Sequence, residues 1–138
     1  MNIETLIPHR DRMKLINEVL DVTADTAVTS AVVTDLWPLC HEFFVDALVL
    51  IEIVAQTAAV QIRMKRGLDS EMGKGLLVGI KSAEFFLDRI PFHTVLITKV
   101  KNLSGAHNYN VLEGTVTAGT DLLARIQIQV LRFDSDKA

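Results

Sequence analysis

Apolar residues fill most positions of the stretch 46–66, and this pattern predicts a long buried helix. Asp46 can cap the start of this helix, because its carboxylate accepts backbone N–H groups that have no partner in the first turn. Gly67 stands just past the end, where a left-handed residue closes many helices. Glu52 and Gln56 interrupt the apolar run, so the helix is not expected to span a membrane. We therefore expect the rest of the chain to wrap around it.

Alternating apolar and polar residues on both sides of the helix predict strands. The predicted strands are 13–22 and 26–34 before the helix, and 75–87, 93–103, 108–118 and 122–133 after it. Two strands, one helix and four strands in a meander predict an α+β fold. In this fold an antiparallel sheet of five or six strands curls round one central helix, and residues 1–138 form a single domain. An open α+β sandwich also fits the pattern.

The composition narrows the classes of function. The chain has 138 residues, 49% of them hydrophobic, and a formal net charge of −3. The high apolar fraction favours an oligomer interface or an apolar pocket, and the negative charge argues against nucleic-acid binding. Cys40 is the single cysteine, which excludes an internal disulfide, and the four histidines lack metal-ligand spacing. No metal site is expected. The charged N-terminal residues lack a signal-peptide core, so a cytoplasmic protein without membrane attachment is the default expectation.

Glu52 is the residue that the helix pattern does not explain. Burying an ionised carboxylate in a helix costs on the order of several kcal/mol unless the carboxylate is paired or protonated. Gln56 lies one turn further along the same face. Two interpretations stay open: Glu52 is a functional group at a site, or Glu52, Gln56 and Arg63 form a solvated stripe at helical spacing.

Two motifs and a following strand resemble a known family. The opening Leu-Ile-Pro-His-Arg at 6–10, the helix segment with Glu52, Ala55, Gln56 and Ala59, and the segment 80–85 are similar to 3-hydroxyacyl-[acyl-carrier-protein] dehydratases of the hotdog fold. The family's helix motif reads Leu-Glu-x-x-Ala-Gln-x-x-Ala. The aryl-polyene-type relatives, which depart from the fatty-acid enzymes in the loop before the helix, are the more similar branch.

The resemblance implies a hotdog fold, a homodimer or dimer of dimers, and an acyl thioester of a carrier protein or of coenzyme A as substrate. No cofactor is implied. In the family a loop histidine and the helix glutamate come from different subunits and meet at a narrow tunnel. Glu52 matches the glutamate. The fatty-acid enzymes have His-Phe-Pro-Gly fourteen positions before the glutamate, whereas here His41 stands eleven positions before Glu52, in His-Glu-Phe-Phe.

The implied reaction removes water from a 3-hydroxyacyl thioester to give a trans-2-enoyl thioester. His41 is the expected base and Glu52 the expected acid, because a carboxyl group among apolar side chains retains its proton more readily than one in water. The backbone N–H groups of Ala47 and Leu48 are expected to hold the thioester oxygen, with Gln56 also in the substrate site. His41 could instead be a surface histidine. Two other functions stay open: a hotdog thioesterase in which Glu52 activates water, and a catalytically degenerate partner subunit.

Overall fold

The computed structural model of the chain describes residues 14–66, 74–105 and 108–134. Within these ranges it has eight strands and one helix. They are β1 Glu18–Val22, β2 Thr26–Val32, β3 Phe44–Asp46, α1 Val49–Arg66, β4 Lys74–Phe85, β5 Arg89–Pro91, β6 Val95–Gly105, β7 Tyr109–Ala118 and β8 Asp121–Asp134. The opening motif at 6–10, Gly67 and the connection at 68–73 lie outside the described residues.

Six strands form one antiparallel sheet in the order β1-β2-β6-β7-β8-β4, and β3 pairs with β5 in a separate small sheet. The expected antiparallel sheet around one helix is confirmed. The expected meander is correct only for β6, β7 and β8, because β4 pairs with β8 at the edge of the sheet and not with β6. The predicted strands leave out β3 and β5, which pair to form the small sheet.

The sheet buries one face against the helix. Along β8, Ala124, Ile126, Ile128 and Val130 are almost fully buried, while Arg125 between them is exposed. This is the alternation that the sequence predicted, and it follows from successive side chains pointing to opposite faces of a strand. The inner face of the sheet and α1 together form the hydrophobic core.

The helix begins at Val49, three residues later than predicted, and its last residue is Arg66 as expected. Ala47 and Leu48 form a turn before it, in which the N–H of Ala47 donates to the carbonyl oxygen of Asp88 at 2.9 Å. Asp46 does act as an acceptor here, since its Oδ1 accepts the N–H of Leu48 at 2.9 Å. It therefore closes the turn that leads into the helix and not the first helical turn itself.

Helix and sheet approach closely at Gly114 on β7. A Cβ atom at Gly114 would lie 2.5 Å from Cγ1 of Val54 on α1, closer than non-bonded carbon atoms approach each other. Glycine at this position therefore allows the helix to pack directly on the sheet. This close contact sets the distance between α1 and the sheet, and with it the positions of the side chains on α1.

Candidate active site at the first turns of the helix

Gln56 is fully buried and makes two defined hydrogen bonds. Its Nε2 donates to Oε2 of Glu52 at 2.9 Å, and its Oε1 accepts the backbone N–H of Leu15 at 3.0 Å. The N–H of Leu15 can only donate, so the amide oxygen must face it and the amide nitrogen must face Glu52. The amide group thus orients the carboxylate of Glu52, which is itself only partly buried.

The solvated stripe of Glu52, Gln56 and Arg63 does not describe these residues. Gln56, at its centre, has 0% exposure, and Arg63 is partly buried. A buried amide with both of its polar atoms bonded to defined partners is built into the structure. The solvated stripe is therefore excluded at Gln56, and the functional role of Glu52 stays a prediction.

His41 lies in a tight loop between β2 and the helix. The N–H of His41 donates to the carbonyl oxygen of Phe44 at 2.8 Å, and the N–H of Asp46 donates to that of Leu39 at 3.0 Å. Leu39 has a φ of 59°, a left-handed conformation that costs a non-glycine residue free energy. Strain of this kind persists where surrounding contacts hold the backbone, and here the contacts fix the loop that carries His41.

The side chain of His41 is exposed and stacks on Phe44. The two ring centroids are 4.7 Å apart at an interplanar angle of 22°. The guanidinium carbon of Arg89 lies 4.6 Å from the centroid of the same Phe44 ring. Arg89 reaches it because β5 pairs with β3 and places Arg89 opposite Asp46. Phe44 thus supports an imidazole and a guanidinium group at the surface, next to the start of the helix.

The described residues of one chain do not bring His41 into contact with Glu52. His41 contacts Phe44, whereas Glu52 accepts a hydrogen bond from Gln56 on its own helix. The two expected catalytic residues are therefore not joined by a hydrogen bond or an ion pair within a single subunit. Their joint role stays a prediction.

A cavity of about 260 Å³ lies at the start of the helix. Its lining residues are Asp46, Ala47, Leu48, Phe85, Leu87 and Asp88. The N–H groups of Ala47 and Leu48 already have acceptors, the carbonyl of Asp88 and the carboxylate of Asp46. A substrate oxygen would have to replace one of these acceptors, so the expected role of Ala47 and Leu48 also stays a prediction.

Cys40, which would ordinarily be expected as a small buried residue, is exposed, and its thiol donates to the carbonyl oxygen of His41 at 3.1 Å. In the part of the chain that the structure describes, no group of three or more His, Cys, Asp and Glu side chains is placed to hold a metal ion. Nor does any helix in that part have the length and apolar character needed to cross a membrane.

Sequence reasoning missed three contributors to the site. Leu15 acts through its backbone N–H, which no side-chain pattern can reveal. Phe44 and Arg89 meet because two three-residue strands pair. The pairing is long-range, and strands this short carry no periodic signal.

A six-stranded antiparallel sheet packed on one central helix defines the class of fold, the hotdog fold. The family model ApeP-like, described as ApeP dehydratase, matches residues 1–138, so the chain belongs to the ApeP-like family. No curated protein matches the chain by sequence comparison.

Solved structures show the same fold at low sequence identity. The chain is similar to the dehydratase heterocomplex ApeI:P from Xenorhabdus doucetiae, with a TM-score of 0.84, 17% identity, and coverage of 99% of this chain and 93% of that chain. It is similar to Cj0977, a sigma28-regulated virulence protein from Campylobacter jejuni, with a TM-score of 0.73, 11% identity, and coverage of 96% and 97%. A hypothetical thioesterase protein with coenzyme A from Streptococcus pneumoniae TIGR4 gives a TM-score of 0.65, 12% identity, and coverage of 85% of each chain.

Proposed function

We propose that the protein is a 3-hydroxyacyl thioester dehydratase that acts in the cytoplasm on an acyl chain carried by an acyl carrier protein or by coenzyme A. The observation that carries the proposal is the hydrogen bond from the buried Gln56 to the carboxylate of Glu52. Membership of a dehydratase family supports a hydro-lyase reaction.

The reaction needs one base and one acid. The base removes a proton from C2 of the acyl chain, the C3–O bond breaks, and the acid gives its proton to the departing hydroxyl group as water forms. The electrons of the C2–H bond form the C2–C3 double bond. We assign the base to His41 and the acid to Glu52. General acid–base groups of this kind contribute rate factors of roughly 10² to 10⁴.

Gln56 prepares Glu52 for the acid role. Nε2 of Gln56 donates to Oε2 of Glu52, and this hydrogen bond fixes the orientation of the carboxyl group. The second bond of Gln56, to the N–H of Leu15, prevents its amide from turning over. Gln56 is therefore a positioning residue in this mechanism. It acts on the substrate indirectly, by orienting Glu52.

The cavity at the start of the helix is the proposed place for the thioester oxygen. Of the two N–H groups there, that of Leu48 is the better donor for the substrate, because its present acceptor is the side chain of Asp46. A side chain can rotate away and release the donor. The acceptor of the Ala47 N–H is the backbone carbonyl of Asp88, which is held by the chain itself.

A second subunit is part of the proposal. In the described part of one chain no hydrogen bond or ion pair joins His41 to Glu52, and β4 lies at the edge of the sheet, next to β8. Val78 and Ile80 on β4 are 39% and 51% exposed. Unpaired edges with exposed apolar side chains are places where another chain can pair. We propose a homodimer joined at β4, which can assemble further into a dimer of dimers.

Because no hydrogen bond or ion pair joins His41 to Glu52 in the described part of one chain, a second candidate is a degenerate subunit that supports an active partner. The similar Xenorhabdus doucetiae structure is a dehydratase heterocomplex, which is consistent with such a role. In this case the protein binds acyl thioesters or a related subunit without turning substrate over. Thioester hydrolysis is the third function that the sequence left open. It releases a free acid, and this product distinguishes it from dehydration.

The test uses purified protein with a trans-2-enoyl thioester of coenzyme A and with the same acyl chain on a carrier protein. Dehydratases work in both directions, so mass spectrometry should show the addition of one water to the intact thioester. Glu52→Gln is the matched control and should be inactive. A free acid would identify a thioesterase. An unchanged substrate with both carriers, together with retained binding, would identify the degenerate subunit.

A further inference from the structure

The contact that orients the imidazole of His41 is its stack on the ring of Phe44. His41 is exposed, and its backbone is held because its N–H donates to the carbonyl oxygen of Phe44 at 2.8 Å. This bond leaves the side chain able to rotate among several staggered orientations. The stack, with ring centroids 4.7 Å apart and an angle of 22° between the planes, selects one of them. A contact between aromatic rings favours one orientation by about threefold to tenfold.

Phe44 is itself held by the small sheet. Val45 and Ile90 face each other across β3 and β5, and they are 0% and 1% exposed, so this face of the strand pair lies in the core. Side chains alternate along a strand, which places Phe44 and Arg89 together on the other face. The two are diagonal neighbours, because Phe44 lies opposite Pro91, two positions from Arg89. Aromatic and long side chains can meet across such a diagonal.

Arg89 contacts the same ring that supports the imidazole. Its guanidinium carbon lies 4.6 Å from the centroid of Phe44, within the range of a cation–π interaction. The guanidinium group keeps its charge at any pH at which the protein is folded, so this interaction is permanent. The core thus anchors β3 and β5, Arg89 restrains the Phe44 ring, and the ring restrains His41.

Resting on the assignment of His41 as the base, we propose that Phe44 and Arg89 are positioning residues for this reaction. A general base works only within hydrogen-bond reach of the proton that it removes. The stack keeps the imidazole in the orientation that reaches C2 of the acyl chain, and Arg89 keeps the Phe44 ring in place. Phe44 and Arg89 act through His41 and make no contact with the reacting atoms.

Two other roles for these residues give different measurements. An exposed arginine near the cavity can bind an acidic carrier protein, and its loss would then raise KM and leave kcat unchanged. A purely structural role would lower the melting temperature of the variants. Loss of positioning lowers kcat with little change in KM, because the base is misplaced while the substrate site is intact.

Kinetics of Phe44 variants test the proposal with purified protein and a trans-2-enoyl thioester of coenzyme A. Phe44→Leu should lower kcat by about threefold to tenfold, the factor by which stacking favours one orientation. Phe44→Tyr retains the ring and should keep kcat within about twofold of the wild-type value. Phe43→Leu is the matched control, since Phe43 is the neighbouring aromatic residue and is 73% exposed, and it should retain the wild-type kcat.

Arg89→Gln tests the second contact and, at an exposed position, keeps the test valid if Phe44→Leu does not fold. We expect kcat to fall by about threefold, as the loss of an exposed cation–π contact implies. In the Phe44→Tyr background the same fall is expected, because the ring is still present. A rise in KM at unchanged kcat would overturn the positioning role of Arg89 and assign it to carrier binding.

Proton NMR follows the stack without any need for turnover. Protons above the face of an aromatic ring are shifted upfield by its ring current, and the imidazole signals of His41 are those that disappear in His41→Ala. They should be shifted upfield in the wild-type protein and in Phe44→Tyr, and should lose this shift in Phe44→Leu. Wild-type signals without the shift would overturn the proposal.

The same variants separate this proposal from the proposed function. Wild-type kcat in Phe44→Leu, with the upfield shift lost and with His41→Ala inactive, would overturn the positioning role and leave His41 as the base. Wild-type kcat in His41→Ala would overturn the assignment of the base and the positioning role with it. No turnover of any thioester by the wild-type protein would overturn the dehydratase function as well.

Discussion

Gln56 donates its side-chain N–H to the carboxylate of Glu52 at 2.9 Å while it accepts the backbone N–H of Leu15 at 3.0 Å. One buried amide therefore links the candidate acid to the segment that precedes the first strand. The bond to Leu15 is structural, since it satisfies a buried N–H group. The bond to Glu52 orients the candidate acid. Variants of Glu52 and Gln56 can separate this catalytic role from the structural one.

Glu52→Gln should abolish activity and leave the fold intact. The substitution retains the size of the side chain and removes its ability to give a proton, so hydration of an enoyl thioester should fall at least about 100-fold. The melting temperature should change little. Glu18→Gln, at an exposed position on β1, is the matched control and should retain the wild-type rate. A large loss of melting temperature in Glu52→Gln would make Glu52 a structural residue.

Gln56→Glu tests the positioning role. A glutamate can still accept the N–H of Leu15, but it replaces the donor that faces Glu52 with an acceptor. We expect kcat to fall by about tenfold or more, with a smaller change in KM, because the acid is misplaced and the substrate site is not. The pH profile should shift as well, since two carboxyl groups then face each other.

The control for Gln56 is Gln61→Met, on the same helix. Gln61 is also fully buried, and its Nε2 donates to the carbonyl oxygen of Ala24 at 2.8 Å. The substitution removes this hydrogen bond and also a buried Oε1 that has no partner, so the two effects oppose each other. The free energy of unfolding should change by less than about 1 kcal/mol, and kcat should stay unchanged. If Gln61→Met and Gln56→Glu reduced kcat equally, the effect of Gln56 would be one of general stability.

Two buried threonines give a prediction about stability alone. Thr57 donates to the carbonyl oxygen of Ile53 at 2.8 Å and pairs with the hydroxyl of Thr29 at 2.9 Å, whereas the hydroxyl of Thr98 is buried without a partner. Valine has nearly the same shape as threonine. Thr98→Val should therefore raise the free energy of unfolding by about 1 kcal/mol, and Thr57→Val should lower it by a similar amount. Denaturant titration measures both, and a destabilised Thr98→Val would contradict the assignment.

Features of the fold that depend on local sequence could be predicted, whereas features that depend on contacts between distant residues could not. The burial of Ile126 and Ile128 and the end of the helix at Arg66 follow from local patterns, and so were predicted correctly. The start of the helix was not, because Ala47 and Leu48 suit a helix by composition while the N–H of Ala47 bonds to the distant carbonyl of Asp88. Local propensity gives way to a tertiary contact of this kind.

The same distinction applies to strand pairing and to the site. The helix motif identified Glu52 and Gln56, but nothing in the local pattern shows that β4 pairs with β8 and leaves an edge. Strands that follow each other in a chain are usually neighbours in a sheet, and here β4 pairs with neither β5 nor β6. The contact of Leu15 with Gln56 joins positions 41 residues apart and involves a backbone group, so it leaves no trace in residue type.

The most demanding prediction concerns His41 and Glu52 together. If they act from different subunits, a dimer of one His41→Ala chain and one Glu52→Gln chain contains one site with both native groups and one site with neither. Dimers of either variant alone should be inactive. The mixed dimer, isolated by co-expression with two different affinity tags, should recover about half of the wild-type rate, as the symmetry of a two-site dimer requires. If instead both residues served the same subunit, each site of the mixed dimer would carry one defect, and the mixed dimer would remain as inactive as its parents.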